Sequence, residues 1–173
     1  MIANVLDEIA ASAVAQLPGM ITEVATLRNV VLDATINVVD WWKTDAEFLT
    51  VQFPALFLTW DGTTTRVRSP LGRQANHRIG LGYAVRLANS VDIKRHLTYV
   101  PEAILAWLDD FPITSRGAGK TIIAVAPKED IEIQVDATRL KDGSLIWGVD
   151  LGPITVTASD VAAQLPTRPI THP

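Results

Sequence analysis

Ten residues beginning at Arg78 constrain this chain more than any others. In R-I-G-L-G-Y-A-V-R-L, the apolar residues Ile79, Leu81, Tyr83, Val85 and Leu87 alternate without a break with Arg78, Gly80, Gly82, Ala84 and Arg86. Successive side chains of a β-strand point to opposite faces, so a strict period of two over this length predicts a long, half-buried strand. Its second face is built from Gly80, Gly82, Ala84 and Ala88, flat enough for another backbone or subunit to approach closely. A strand leaves its backbone groups unpaired unless neighbours line up beside it, so the fold must be organised around a sheet.

The remaining patterns supply what that sheet is made of and what covers it. Val5, Leu6, Ile9, Ala13 and Leu17 fall near one face of a helix over residues 3 to 16, and Pro18-Gly19 is expected to stop it. Val24, Leu27, Val31, Ala34, Val38 and Trp41 repeat at alternating steps of three and four, which predicts a second helix from about 21 to 43. The β-branched density of V-V-L-D-A-T-I-N-V-V suits a strand or hairpin in the same place. Phe53 to Trp60 is a short apolar strand closed by a turn at Asp61-Gly62, followed by T-T-T-R-V-R-S-P-L-G-R-Q, a long loop or the arm of a hairpin.

After the alternating strand, D-I-K-R-H-L-T-Y-V-P-E-A-I-L-A-W-L-D-D-F is helical in pattern, with Ile104, Leu105, Leu108 and Phe111 as its inner stripe and Pro101 at the first turn of its second half. Three strands close the chain: Thr121 to Ala126, Ile131 to Thr138 and Leu145 to Thr157, the last broken near Gly152-Pro153. Lys141-Asp142-Gly143-Ser144 turns between the last two as a hairpin. This order predicts an α+β fold, a mainly antiparallel sheet covered on one face by helices.

A chain of 173 residues with 48% hydrophobic residues can fill one sizeable core. The expectation is one domain over 1–165, with an N-terminal helical part over 1–45 and a tail, P-T-R-P-I-T-H-P, over 166–173. The lack of cysteine excludes disulfides, thiolate nucleophiles and cysteine zinc sites together. Asp7 and Glu8 stand where a signal peptide carries basic residues, and no apolar run approaches the roughly 20 residues of a membrane span. A soluble protein with no membrane partner is expected.

The formal charge of −4 conceals a segregation. Arg66, Arg68, Arg73, Arg78, Arg86, Lys94 and Arg95 face a single acid, Asp92, within residues 66 to 95, a balance of 7 − 1 = +6, which leaves 8 − 18 = −10 elsewhere. Such a division fits a surface that meets an acidic partner, including another copy of the same chain, and equally fits solvated arginines on a strand and two loops.

Motifs for chemistry are thin. T-S-R-G-A-G-K-T ends like a phosphate-binding loop, but Thr114 stands where the first glycine belongs, and the stretch T-I-I-A-V-A-P after it reads as a strand where such a loop requires a helix. A small nucleotide- or phosphate-binding enzyme using Arg116, Lys120 and Thr121 is the alternative that this stretch leaves open. His77, His96 and His172 share no metal spacing; His77 reads as a surface or interface group and His96 as an exposed one. The acidic pairs Asp7-Glu8, Asp109-Asp110 and Glu129-Asp130 sit at element ends, and G-x-S-x-G is absent. No catalytic residue, metal ligand or cofactor-binding residue can be named, so no enzyme and no cofactor is expected. The basic stretch carries no nucleic-acid-binding motif; only a weak, non-specific contact with passing DNA fits it.

Taken in order, the strand F-P-A-L-F-L-T-W-D-G, the basic loop, the strand H-R-I-G-L-G-Y-A-V, the helix with P-E-A-I-L-A-W-L and the closing strands resemble the tail terminator, or tail completion, proteins in the neck of long-tailed bacteriophages. The resemblance covers roughly residues 50 to 157. It implies a small α/β sandwich that forms a homo-hexameric ring on the end of the tail tube, stops tube polymerisation and meets the head connector. It implies a virion location, assembly in the host cytoplasm, and no active site. It carries over no individual residue; on steric and electrostatic grounds the residues expected to face partners are Arg66, Arg68, Arg73 and Arg78, with Gly117 to Lys120 as a second contact and Arg116 beside it. Another neck or adaptor role is the alternative within the same virion.

Overall fold

A computed structural model describes residues 2–40, 51–69, 72–86, 90–109, 114–115, 121–125, 134–139 and 144–161. Its first helix, α1, runs over Ile2–Leu27 and buries Val5, Leu6, Ile9, Ala13, Leu17, Ile21 and Val24. The predicted stop at Pro18-Gly19 is therefore overturned: the helix passes through it. A proline inside a helix removes one hydrogen bond and costs about 3 kcal/mol, while burying Ile21 and Val24 returns about 1.5–3 kcal/mol each. The continuing apolar stripe wins. Thr22 Oγ1 also donates to the Pro18 carbonyl at 2.9 Å, bracing the following turn.

The helix ends ten residues later than expected of Leu17-Pro18, at a cap that the sequence shows only as an asparagine. Asn29 takes the left-handed conformation, φ 51°, and two reversed bonds close the end, Asn29 N–H to Thr26 O at 3.2 Å and Val30 N–H to Ala25 O at 3.0 Å. This is the Schellman arrangement, which satisfies the last carbonyls and turns the chain away from the axis. The helix predicted over 21–43 is thus not formed. Leu27 and Val31, two members of its supposed buried stripe, are 82% and 84% exposed. The β-branched end of that stretch becomes a short strand instead, β1 (Asn37–Asp40).

β1 lies parallel to β2 (Ala55–Ser69), which forms a long antiparallel pair with β3 (Gly72–Val85). The basic loop is the hairpin arm of these two strands. The expected turn at Asp61-Gly62 is overturned as well: the strand runs through it with irregular register between Trp60 and Gly62 and between Thr63 and Thr65. Gly62, at φ 137°, occupies a conformation that glycine alone adopts without strain, which kinks the strand without reversing it.

Helix α2 (Ser90–Asp109) follows, continuous through a buried Pro101. The chain then adds β4 (Thr114–Ser115), β5 (Thr121–Val125), β6 (Gln134–Arg139) and β7 (Leu145–Val161). β7 pairs antiparallel with β3 along one edge, and with β6 and then β5 along the other. The sheet order is β1-β2-β3-β7-β5-β4, with β6 beside the first half of β7. The predicted break near Gly152-Pro153 is a shift of register within one strand. Gly152 has φ 65°, and the Asp150 carboxylate accepts its N–H at 2.7 Å. The predicted turn at 141–143 and the tail at 166–173 lie outside the described residues.

The fold is α+β, a mainly antiparallel sheet with helices on one face. α2 touches β3 and β7, and α1 packs on α2 and β1. Between the layers lie Leu56 and Leu58 of β2, Ile79, Leu81, Tyr83 and Val85 of β3, Val149 and Leu151 of β7, and Val100, Ala103, Ile104 and Trp107 of α2. Trp107 is fully buried, and its indole N–H donates to Ser12 Oγ of α1 at 3.2 Å. A second, smaller cluster occupies the opposite sheet face: Val39, Ala55, Phe57, Ala84 and Ile146, with Val51 and Phe53 against it. Trp107→Ala removes the largest side chain sealing the helices to each other and leaves a cavity, so it should lower the unfolding free energy by about 3–5 kcal/mol in urea titration.

Candidate interaction surface

Of the basic residues expected to meet partners, Arg66, Arg68 and Arg73 fall toward the turn end of the β2–β3 hairpin. Pairing places Arg66 opposite Ala75 and Arg68 directly opposite Arg73. On its other side Arg73 pairs with Asp160 of β7. The register thus sets Arg73 between Arg68 of β2 and Asp160 of β7. Arg78 is exposed, opposite Gly62 on one side and Thr155 on the other. Arg116 and Lys120 lie outside the described residues. Their flanks are two paired strands: Thr114 lies opposite Ile123 and Ser115 opposite Ile122. The stretch from 114 to 125 is therefore strand, connection, strand, whereas a nucleotide-binding loop opens into a helix that presents its N–H groups to phosphate.

Two histidines differ from their expected settings. His77, read as a surface or interface group, is 3% exposed, with Nδ1 3.0 Å from Thr63 Oγ1 across the β2–β3 pair. It alternates in phase with Ile79 and Leu81, which carries it to the helix-covered side of the sheet. His96, read as exposed beside Lys94 and Arg95, is 4% exposed. It shares the inward face of α2 with Val100 and Ala103, and its Nδ1 lies 2.8 Å from the Tyr83 hydroxyl. A pairing of this kind is invisible in sequence, because the residues belong to a strand and a helix that meet only in the packed core.

The electrostatics of this buried pair follow from desolvation. Burial lowers the His96 pKa from its ordinary 6.5, partly opposed by the negative charges of Asp33 and Asp92. Burial also pushes the Tyr83 phenol well above its usual range, with Asp33 adding to the shift. Asp33 itself is held below the usual carboxylate range, chiefly by the Thr35 backbone N–H at 2.9 Å and then by the Thr35 side chain. The arrangement is two neutral polar groups satisfying one another inside a core. Among the described residues, no group of three or more histidines and acids is placed to hold a metal. No helix among them is long and apolar enough to cross a membrane.

No family model matches this chain, and no curated protein matches it. A solved structure described as the virion of a native gene transfer agent particle superposes with a TM-score of 0.33 and 13% identity, covering 85% of this chain and 98% of that one. A superposition this loose carries no argument about fold or role, so the reading below rests on the chain's own surfaces.

The His96 pair makes a stability prediction of definite sign. A histidine whose folded pKa is depressed takes up its proton more readily in the unfolded chain, so stability falls as pH drops below 6.5, the ordinary value, toward the lower folded one. The Asp33 contribution is lost only in the more acidic range below its ordinary 3.8. The urea midpoint should therefore decline between pH 7 and pH 5, and His96→Gln should flatten that decline.

Proposed function

We propose that this chain is a structural protein of a phage-like virion, acting through its surfaces with no bond made or broken. In this reading it assembles as a homo-hexameric ring at the head-proximal end of a tail tube, ends tube polymerisation there, and joins the tube protein to the head connector. The observation that carries the reading is the directly opposed pair Arg68 and Arg73, at the turn end of the β2–β3 hairpin. Charge held in opposition at the extremity of a rigid sheet has its use in contact with a neighbour. The order of elements over residues 50 to 157, with its resemblance to tail terminators, supports the particular role.

Within this reading Arg66, Arg68, Arg73 and Arg78 face a protein partner, Arg116 and Lys120 form a second contact, and any meeting with DNA passing the ring is non-specific and salt-sensitive. No cofactor takes part. A ring built from two unlike patches closes by a head-to-tail contact, the arrangement that segregated charge favours.

Negative-stain microscopy of the purified chain should show six-fold rings, and a chain that stays monomeric and never joins tail ends would defeat the proposal. Replacing Arg66, Arg68 and Arg73 together by Glu should give over-long or unjoined tails in an assembly assay, with folding unchanged by circular dichroism. Normal tail length in that variant would remove the hairpin from the contact.

A further inference from the structure

The sheet has an outer face, turned away from α1 and α2, and the described residues cover only part of it. Near β1 it is sealed by the cluster of Val39, Ala55, Phe57, Ala84 and Ile146. Farther along the strands its floor is glycine: Gly80 and Gly82 of β3, with Gly148 of β7 directly opposite Ala84. The space beside Gly80 is taken by side chains, since a Cβ there would collide with Thr59 Oγ1 and lie 3.4 Å from a carboxylate oxygen of Asp61. That places Asp61 on this face.

Two further acids join it by strand alternation. Asp150 lies between Val149 and Leu151, both buried on the helix side, so its own side chain turns outward. Asp136 lies opposite Gly148. Asp61, Asp136 and Asp150 are all exposed; Asp61 accepts from the Thr59 hydroxyl at 3.2 Å and Asp150 from the Gly152 N–H, and neither is in an ion pair among the described residues. Arg78, two positions before Gly80, brings one positive charge to the same face. The result is a flat, net-acidic platform.

We infer that this platform around Gly80, Gly82 and Gly148 receives the arginine-bearing end of the β2–β3 hairpin from a second copy of this chain. The inference rests on the ring reading above and names the other half of its contact. Charge complementarity selects the occupant: the hairpin end carries Arg66, Arg68 and Arg73 with one acid, Asp160, opposite Arg73, and the platform supplies three carboxylates. Geometry makes the contact intermolecular. Gly82 is nine positions beyond Arg73 in the same strand, about 30 Å at the rise of an extended chain, and a strand paired on both edges cannot fold back over that distance. Only another molecule can bring the two together. Gly82 and Gly148, where a Cβ would meet nothing nearer than 3.8 Å, let a neighbouring backbone come close, and a contact between unlike patches propagates head to tail.

Sedimentation velocity of the full chain at about 0.1 M salt tests this, since close surface charges are only partly screened there and largely screened at about 1 M. Expected is an assembled species that weakens at least tenfold in R66E/R68E/R73E and equally in D61K/D136K/D150K, and that returns in part when the two variants are mixed or combined. The neutral variant D61N/D136N/D150N, which keeps the side-chain shapes, carries the same expectation of weakening where the lysine variant does not fold. A folded platform variant that assembles like the parent, while the hairpin variant does not, overturns this inference and leaves the ring reading standing. A parent that is monomeric at every concentration and salt overturns both. Duplex DNA bound by the hairpin, with self-association unmoved by the platform variants, also overturns it.

Discussion

Burial of the odd-numbered side of β3 is the interaction on which the rest depends. Ile79, Leu81, Tyr83 and Val85 are at most 1% exposed, and β3 is the strand that pairs with both β2 and β7. Once that face is sealed under α2, the register of its two neighbours is fixed, because a slip by one residue would turn every apolar side chain of the strand outward. The outer face is then fixed by the same act. Gly80 and Gly82 look away from the helices because Ile79 and Leu81 look toward them.

The arginine-bearing end of β3 is paired on both edges, with β2 on one side and β7 running beside it to Val161 opposite Gly72 on the other. Polar groups are drawn inward by the same alternation: His77 meets Thr63 through Nδ1, its Nε2 is buried with no hydrogen bond among the described residues, and Tyr83 meets His96. At the periphery, Arg28 pairs with Glu102 through two guanidinium contacts, joining the end of α1 to α2 across exposed surface. Such a pair adds little stability, but it fixes where the capped end of α1 lies.

Much of this was legible in advance because period-two patterning is a local property. The long strand, Tyr83 on its inner side, the helix after it and the three closing strands could all be read from residue order. The errors fell where one local signal outvoted another. Pro18-Gly19 reads as a stop, yet Ile21 and Val24 repeat the α1 stripe beyond it and their burial outweighs the lost bond. The three-four spacing through Leu27 and Val31 reads as a helix, yet Asn29 caps the chain there and leaves both residues in water. Asp61-Gly62 reads as a turn, yet a single glycine at positive φ only kinks a strand whose partner continues. At Pro18 the deciding quantity was the area buried against a distant element; at Asn29 and Gly62 it was a local backbone conformation.

The residues alone settled the α+β composition, the division of charge and the small second face of β3, because alternation, charge and side-chain size need no knowledge of neighbours. Only the packed structure decided that β1 would pair in parallel with β2, that both histidines would go inside, and that Arg68 would stand opposite Arg73 while Asp61, Asp136 and Asp150 gather on the outer face. Those facts depend on strand register, and register is set by contacts between segments tens of residues apart, whose free energy appears only when the layers close.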